Sequence, residues 1–144
     1  VIAGDDVGVL LRGTVHERDA RWQLAHIGFA GGALWLRDDG VPVGRAVRVR
    51  VLARDVSIAT DKPRNTSVQN LLPCAVGHVA PDARQPSQVL VRLDCLDDDA
   101  APSGPGSAAG AALLARITAR AAHDLGLAPG MRVWAQVKAA ALVE

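Results

Sequence analysis

The sequence predicts an all-β chain of two small barrel-like units, the second interrupted by one short helix, and three features predict it. Apolar and polar residues alternate along most of the chain, at the period of a strand with one buried face. Two stretches of the first half return in outline in the second. One segment alone carries the start and stop signals of a helix.

The first unit takes residues 1–62. Strand-like runs occupy "GVLLRGTVHE" (Gly8 to Glu17), "RWQLAHIG" (Arg21 to Gly28), "GALWLR" (Gly32 to Arg37) and "AVRVRVLARDVSIA" (Ala46 to Ala59). In the last of these Val47, Val49 and Val51 share one face and Arg48 and Arg50 the other. Gly31-Gly32, Asp39-Gly40 and Pro42 to Gly44 supply the turns between them. The Asp-Lys-Pro-Arg-Asn stretch from Asp61 to Asn65 breaks the alternation, and the domain boundary is placed there.

The second unit, residues 63–144, repeats the plan. "LLRGTVHERDA" (Leu10 to Ala20) returns as "LLPCAVGHVAPDA" (Leu71 to Ala83), and "VPVGRAVRVRV" (Val41 to Val51) as "LAPGMRVWAQV" (Leu127 to Val137). Between these anchors lie two further apolar runs, Gln88 to Cys95 and Ala111 to Ile117. Leu96 to Ala112, acidic and then rich in Pro, Gly, Ser and Ala, is expected to be an inter-strand loop. A two-turn helix follows from Ala119 to Leu125, with Thr118 as N-cap and Gly126 as the left-handed residue that ends it. Strand, short helix, strand within a five-stranded Greek-key barrel is the oligonucleotide/oligosaccharide-binding (OB) arrangement, so both units are expected to be OB-like.

Composition narrows the function classes. The chain has 144 residues, 49% of them apolar, and a formal net charge of +1. That balance lacks the basic excess of a nucleic-acid binder. Stacking aromatics are also scarce: one Phe, no Tyr and three Trp. Trp22, Trp35 and Trp134 each lie in an apolar strand run, where core or interface packing is the favoured role. No run approaches the roughly 18 apolar residues of a membrane span, and there is no charged-then-apolar leader. The chain reads as soluble and cytoplasmic, and its opening on Val1 without Met reads as a piece cut from something longer.

Catalytic signatures are not found. The sequence has no GxxxxGK[ST] phosphate loop, HExxH or GxSxG. His16, His26, His78 and His123 have no metal-ligand spacing, so no metal, cofactor or enzyme activity is expected. Cys74 and Cys95, in separate strand runs, are expected to be buried thiols acting as small hydrophobes, with a disulfide between neighbouring strands as the alternative.

The polar connector "NTSVQN" (Asn65 to Asn70) is left with two readings: a turn closed by short side chains, or part of an anion site. "ARDVSIA" (Ala53 to Ala59), "TSVQNLLPCAV" (Thr66 to Val76) and "ARITARAAHDLGLAPGMRVWAQVKAAAL" (Ala115 to Leu142) together resemble the C-terminal regulatory region of molybdate-importer ATPases. The last two stretches resemble its molybdate-binding Mop (TOBE-type, OB-like) module. The resemblance implies a ligand, molybdate or tungstate, and a site where modules meet. It also implies a homodimer through the Mop units, an upstream ATPase domain and a transporter permease as partners, and a cytoplasmic location peripheral to the inner membrane. Nucleic acid and direct membrane insertion are not implied.

Tetrahedral dianions want several hydrogen-bond donors and little formal charge. On the resemblance, Thr66, Ser67 and Gln69 would contribute donors from the connector, Thr118 from the helix N-terminus, and Lys138 with Ala139 from the end of the strand that follows. Lys138 would carry the only full positive charge. Each has a plainer role beside this one: Thr66 and Ser67 close a turn, Thr118 caps its helix, and Lys138 guards a strand edge. Two positions depart from the family, which often has Arg where Gln69 stands and Ser where Ala139 stands. The loss of a charge and a hydroxyl implies a weakened site. The alternatives are therefore a structural dimerisation module with a decayed anion site, or a free-standing molybdate-binding protein.

Overall fold

In a computed structural model of the protein, residues 7–96 and 110–143 are described. The strands are β1 (Gly8–Asp19), β2 (Leu24–Phe29), β3 (Gly32–Arg37), β4 (Ala46–Leu52), β5 (Val56–Ala59), β6 (Asn70–Pro81), β7 (Gln88–Cys95), β8 (Ala112–Thr118), β9 (Arg132–Val137) and β10 (Ala141–Val143). Helix α1 spans Ala119–Leu125. The chain is thus all-β with one short helix, and the helix falls where its caps predict. Thr118 Oγ1 accepts from Ala121 N–H at 3.0 Å, and Gly126 ends the helix at φ 65°.

All strand pairs are antiparallel and form two five-stranded sheets, in the orders β10-β4-β1-β2-β3 and β5-β9-β6-β7-β8. The two halves are built alike. β1 is interrupted by a bulge between Val15 and Glu17, and β6 by one between Val76 and His78, the same place in the repeated sequence. Opposite each bulge a left-handed glycine closes the same pair of bonds. Gly44 N–H donates to Val15 O at 2.7 Å and Val15 N–H to Arg45 O at 3.0 Å; Gly130 N–H donates to Val76 O at 2.7 Å and Val76 N–H to Met131 O at 2.8 Å. Gly44 and Gly130 hold φ values of 92° and 90°, a region closed to most side chains.

The fifth strand of each sheet comes from the other half. The run expected as one strand from Ala46 to Ala59 is broken by a 3-10 turn at Ala53–Asp55. β4 stays with β1, whereas β5 crosses to pair with β9, Val56 opposite Val137 and Ala59 opposite Trp134. In return β10 pairs with β4, Leu142 opposite Val49. This exchange crosses the division between residues 1–62 and 63–144. Its physical reason is edge satisfaction, because β4 and β9 would each otherwise expose a row of unpaired backbone groups.

The buried faces meet in one continuous apolar cluster, with Ile27, Leu34 and Val49 from the first sheet against Leu93, Leu113 and Val137 from the second. No polar or charged residue is buried among the described residues. Cys74 and Cys95 are free thiols within this cluster. Trp22 is not a core residue, being 64% exposed, which leaves interface packing of its two expected roles. It occupies the β1–β2 connection, where Asp19 Oδ1 accepts from the N–H groups of Arg21 and Trp22 and Gln23 turns through φ 58°. Most of the expected loop from Leu96 to Ala112, residues 97–109, lies outside the described residues.

Candidate functional site

The connector before β6 turns at Asn65 and delivers two of the expected residues, Ser67 and Gln69, to one place. Asn65 takes a left-handed turn at φ 54°, and Thr66 Oγ1 accepts from Val68 N–H at 3.1 Å, a local bond of the kind these residues make in turns. The turn reading of "NTSVQN" is therefore realised in Asn65 and Thr66. Ser67 and Gln69 are left facing solvent.

β6 starts beside the end of β9, with Asn70 opposite Val137, so Lys138 emerges next to the connector. Its own N–H donates to Asp55 O at 2.8 Å, which fixes the main chain as it leaves the strand. Ser67, Gln69 and Lys138 then line an open cleft of about 350 Å³, with Leu24, Trp35 and Val137 as its apolar wall. Lys138 is the only ionisable side chain lining it. Among the described residues Lys138 forms no ion pair, and the hydroxyl and N–H of Ser67 have no hydrogen-bond partner. A cleft with one unopposed cation, a hydroxyl and a carboxamide is chemically suited to a small anion.

The remaining expected residues stand elsewhere. Thr66 and Ala139 adjoin the cleft in sequence without lining it. Thr118 is far away: it pairs with Gln88 at the end of the second sheet where Pro81 closes β6, whereas the cleft lies at the Asn70 end. The twelve residues from Asn70 to Pro81 correspond to roughly 35 Å of extended strand from first to last. Within one chain Thr118 is not part of the cleft.

Two cleft residues escaped the sequence reading. Asn70 accepts from Trp35 N–H at 2.8 Å and donates through Nδ2 to Trp35 O at 2.9 Å, so its amide copies a backbone partner and ties β3 to β6. Trp35 in turn stacks on His26, with ring centroids 4.5 Å apart, and His26 meets His16 edge-on at 6.2 Å. An Asn opening a strand was the only local signal. Asn70→Ala would leave both Trp35 backbone groups unpaired in a half-buried place, and we expect a loss of about 2 kcal/mol in denaturant unfolding.

A second, larger cleft of about 620 Å³ lies on the first sheet, lined by Arg12, Arg45, Arg48 and the apolar Val41, Leu142 and Val143. It contains guanidinium groups but neither hydroxyl nor carboxamide side chains.

The TOBE domain model matches residues 106–143. Over 141 residues, 98% of the chain, the sequence is 45% identical to the molybdenum import ATP-binding protein ModC of Methylococcus capsulatus. Over 140 residues, 97% of the chain, it is 46% identical to ModC of Thiobacillus denitrificans. The chain belongs to the TOBE/Mop regions of molybdate-importer ATP-binding proteins. It spans 36% and 35% of the length of those two relatives, about a third of each. Among solved structures, the cytoplasmic molybdate-binding protein ModG with molybdate bound superimposes with a TM-score of 0.64, covering 94% of this chain and 93% of ModG. At 22% identity that likeness establishes the OB-type Mop fold.

No helix among the described residues is long and apolar enough to cross a membrane. The cleft wall of this TOBE chain has a titratable element behind it. His26 has its pKa lowered from 6.5, first by burial and then by the neighbouring His16 charge, with Glu17 opposing. Unfolded, His26 binds its proton at 6.5; folded, it does so only at lower pH. The unfolded chain thus holds more protons as pH falls below 6.5, and stability falls with it. The contribution is fully retained above pH 6.5. His26→Gln is expected to flatten the pH dependence of the unfolding midpoint on the acid side of 6.5, and an unchanged slope would assign it to other groups.

Proposed function

We propose that this chain is the regulatory, oxyanion-sensing part of a molybdate-importer ATPase. It binds molybdate or tungstate at a cleft formed by Ser67, Gln69 and Lys138, and its occupancy biases the attached ATPase domain and, through it, the permease. The observation that carries this reading is the meeting of Ser67, Gln69 and Lys138 in one cleft, with Lys138 unopposed among the described residues. The relatives' names support the choice of ligand. In such an importer the chain would work in the cytoplasm, peripheral to the inner membrane.

The distance between Thr118 and the cleft gives the reading its oligomeric form. Two copies related by a two-fold axis would place the Thr118 end of one against the Ser67–Lys138 end of the other, making two equivalent composite sites. Thr118 Oγ1 spends a lone pair on Ala121 N–H and keeps its own hydrogen to donate. Thr66 and Ala139 would then line the rim. A ligand held between two copies shifts their arrangement only by the difference in its affinity for the alternatives, which is how occupancy would be relayed.

Calorimetric titration with molybdate, tungstate and sulfate tests the sensor. Binding of the first two is expected, and no heat from any oxyanion at millimolar concentration would sink it. A mixture of Ser67→Ala and Thr118→Ala chains tests the composite site: their heterodimers retain one intact site, so the mixture should recover binding that neither variant shows alone. A second reading, a dimerisation module with a decayed site, is favoured by Gln69 and Ala139, which supply neither a charge nor a hydroxyl. Dimers that form without any oxyanion heat would establish it.

A further inference from the structure

Cys74 and Cys95 are a pair of nucleophilic side chains that the proposed function leaves unused. We infer that they are a built-in site of reversible oxidation, at which a small oxidant of the peroxide class converts the two thiols into a disulfide joining β6 to β7.

The register carries this inference. Cys74 stands directly opposite Cys95. One step along the ladder Leu96 N–H donates to Pro73 O at 2.8 Å, which makes Pro73 and Leu96 the hydrogen-bonded pair and the cysteines the adjacent non-hydrogen-bonded pair. Cys95 N–H accordingly points the other way, to Ala111 O at 2.9 Å. At non-hydrogen-bonded positions the Cα atoms approach to about 4.5 Å and the side chains lean together. That separation lies within the range a disulfide spans. The sulfurs already lie 3.9 Å apart. Closing to a bond of about 2 Å therefore needs side-chain rotation and no movement of the strands.

The two sulfurs differ in readiness. Cys74 S–H donates to Cys95 Sγ, and this bond holds the Cys95 thiol below the usual range, while the same bond and burial push Cys74 up. Cys95 is the sulfur that can ionise and attack. It also lies at the end of its strand, 4% exposed, under two residues without side chains. A Cβ on Gly31 would come 3.1 Å from Cys95 Cβ, and one on Gly110 would collide with the Cys95 carbonyl oxygen. This cover is closely packed backbone, so the oxidant reaches Cys95 through local opening of the strand end.

The chemistry balances with hydrogen peroxide as oxidant. Cys95 thiolate attacks one peroxide oxygen; an S–O bond forms, the O–O bond breaks, and the departing hydroxide takes the thiol's proton as water. Cys74 sulfur then attacks Cys95 Sγ, the S–S bond forms, the S–O bond breaks, and hydroxide leaves with the Cys74 proton as a second water. Two thiols are oxidised and one peroxide is reduced. The inference is independent of the oxyanion reading.

The test exposes the folded, reduced chain to hydrogen peroxide, then unfolds it in an alkylating agent and weighs it. The expected product is a monomer lighter by two hydrogens, with neither cysteine alkylated, a Cys74–Cys95 linked peptide after proteolysis, and full reversal by dithiothreitol. Oxidation should raise the melting temperature, since the bond restricts the unfolded chain. In Cys74→Ser, dimedone should trap a sulfenic acid on Cys95. Should that variant fail to fold, the unmodified chain still decides by the linked peptide. Full alkylation of both thiols after a treatment that oxidises glutathione completely would overturn the inference. So would a cross-link that appears only between chains or only after unfolding.

Discussion

Lys138→Ala is expected to weaken molybdate binding tenfold to a hundredfold while leaving the fold intact. The lysine is exposed, follows the last residue of β9, and is the only cation among the cleft's lining residues. A charge-assisted hydrogen bond is worth about 1.5 to 3 kcal/mol, which converts to that range of affinity. Its backbone N–H bond to Asp55 O survives the substitution, and exposed side chains of this kind change stability by about 0.5 kcal/mol or less. Lys138→Gln keeps a donor without the charge and should fall between the two. Trp35 shares the cleft, so its fluorescence offers a second readout beside calorimetry. Equal affinities in the original chain and both variants would remove Lys138 from the site.

Leu113→Ala is expected to cost about 3 kcal/mol, within the 2 to 5 kcal/mol typical of emptying a packed leucine position. Leu113 is fully buried, opposite Leu93 on β7, in the cluster shared by both sheets. Against a total stability of roughly 5 to 15 kcal/mol this is a large fraction. The loss should also be felt by the whole chain. Because β5 and β10 cross between the sheets, the two halves of the chain cannot separate without breaking backbone bonds in both sheets. Trp35 in the first sheet and Trp134 in the second should therefore report one coincident unfolding transition, before and after the substitution. Two separated transitions would show that the halves unfold independently.

Much of this fold is legible because its signals are local. Alternation in "AVRVRV" reflects a single buried face, and Thr118 and Gly126 carry out the capping that their side chains, or lack of one, suit them for. The repeat of Val15–His16–Glu17 as Val76–Gly77–His78 even coincides with matched bulges. The strand exchange was not legible. Ala53, Arg54 and Asp55 sit inside a run that reads as extended, and nothing in their identities tells which sheet the chain joins next. Pairing is decided by edges distant in sequence.

The cleft divides along the same line. Ser67 and Lys138 were singled out on the family resemblance and Gln69 as a departure from it, and the chain does bring the three together. Asn70 and Trp35 were missed because their bond spans 35 residues and involves Trp35 only through its backbone, which leaves no trace in the side-chain pattern. Thr118 was singled out on the same resemblance yet lies at the other end of the sheet, because a sequence pattern carries no distance between its members. Trp22 was read by its apolar neighbours, whereas Asp19 and Gln23 make its position a turn.

The reciprocal exchange of β5 and β10 also bears on ancestry. Remove the covalent link between the matched halves and each becomes a four-stranded sheet trailing a strand that fits only the other half's edge. A gene encoding one such half would yield a chain with no complete sheet of its own, able to satisfy its edge by trading tails with an identical chain. Fusion of two copies would turn that obligatory pairing into an internal one. It would also leave the two halves free to diverge, and in this chain Leu52 stands where the second half has Lys138.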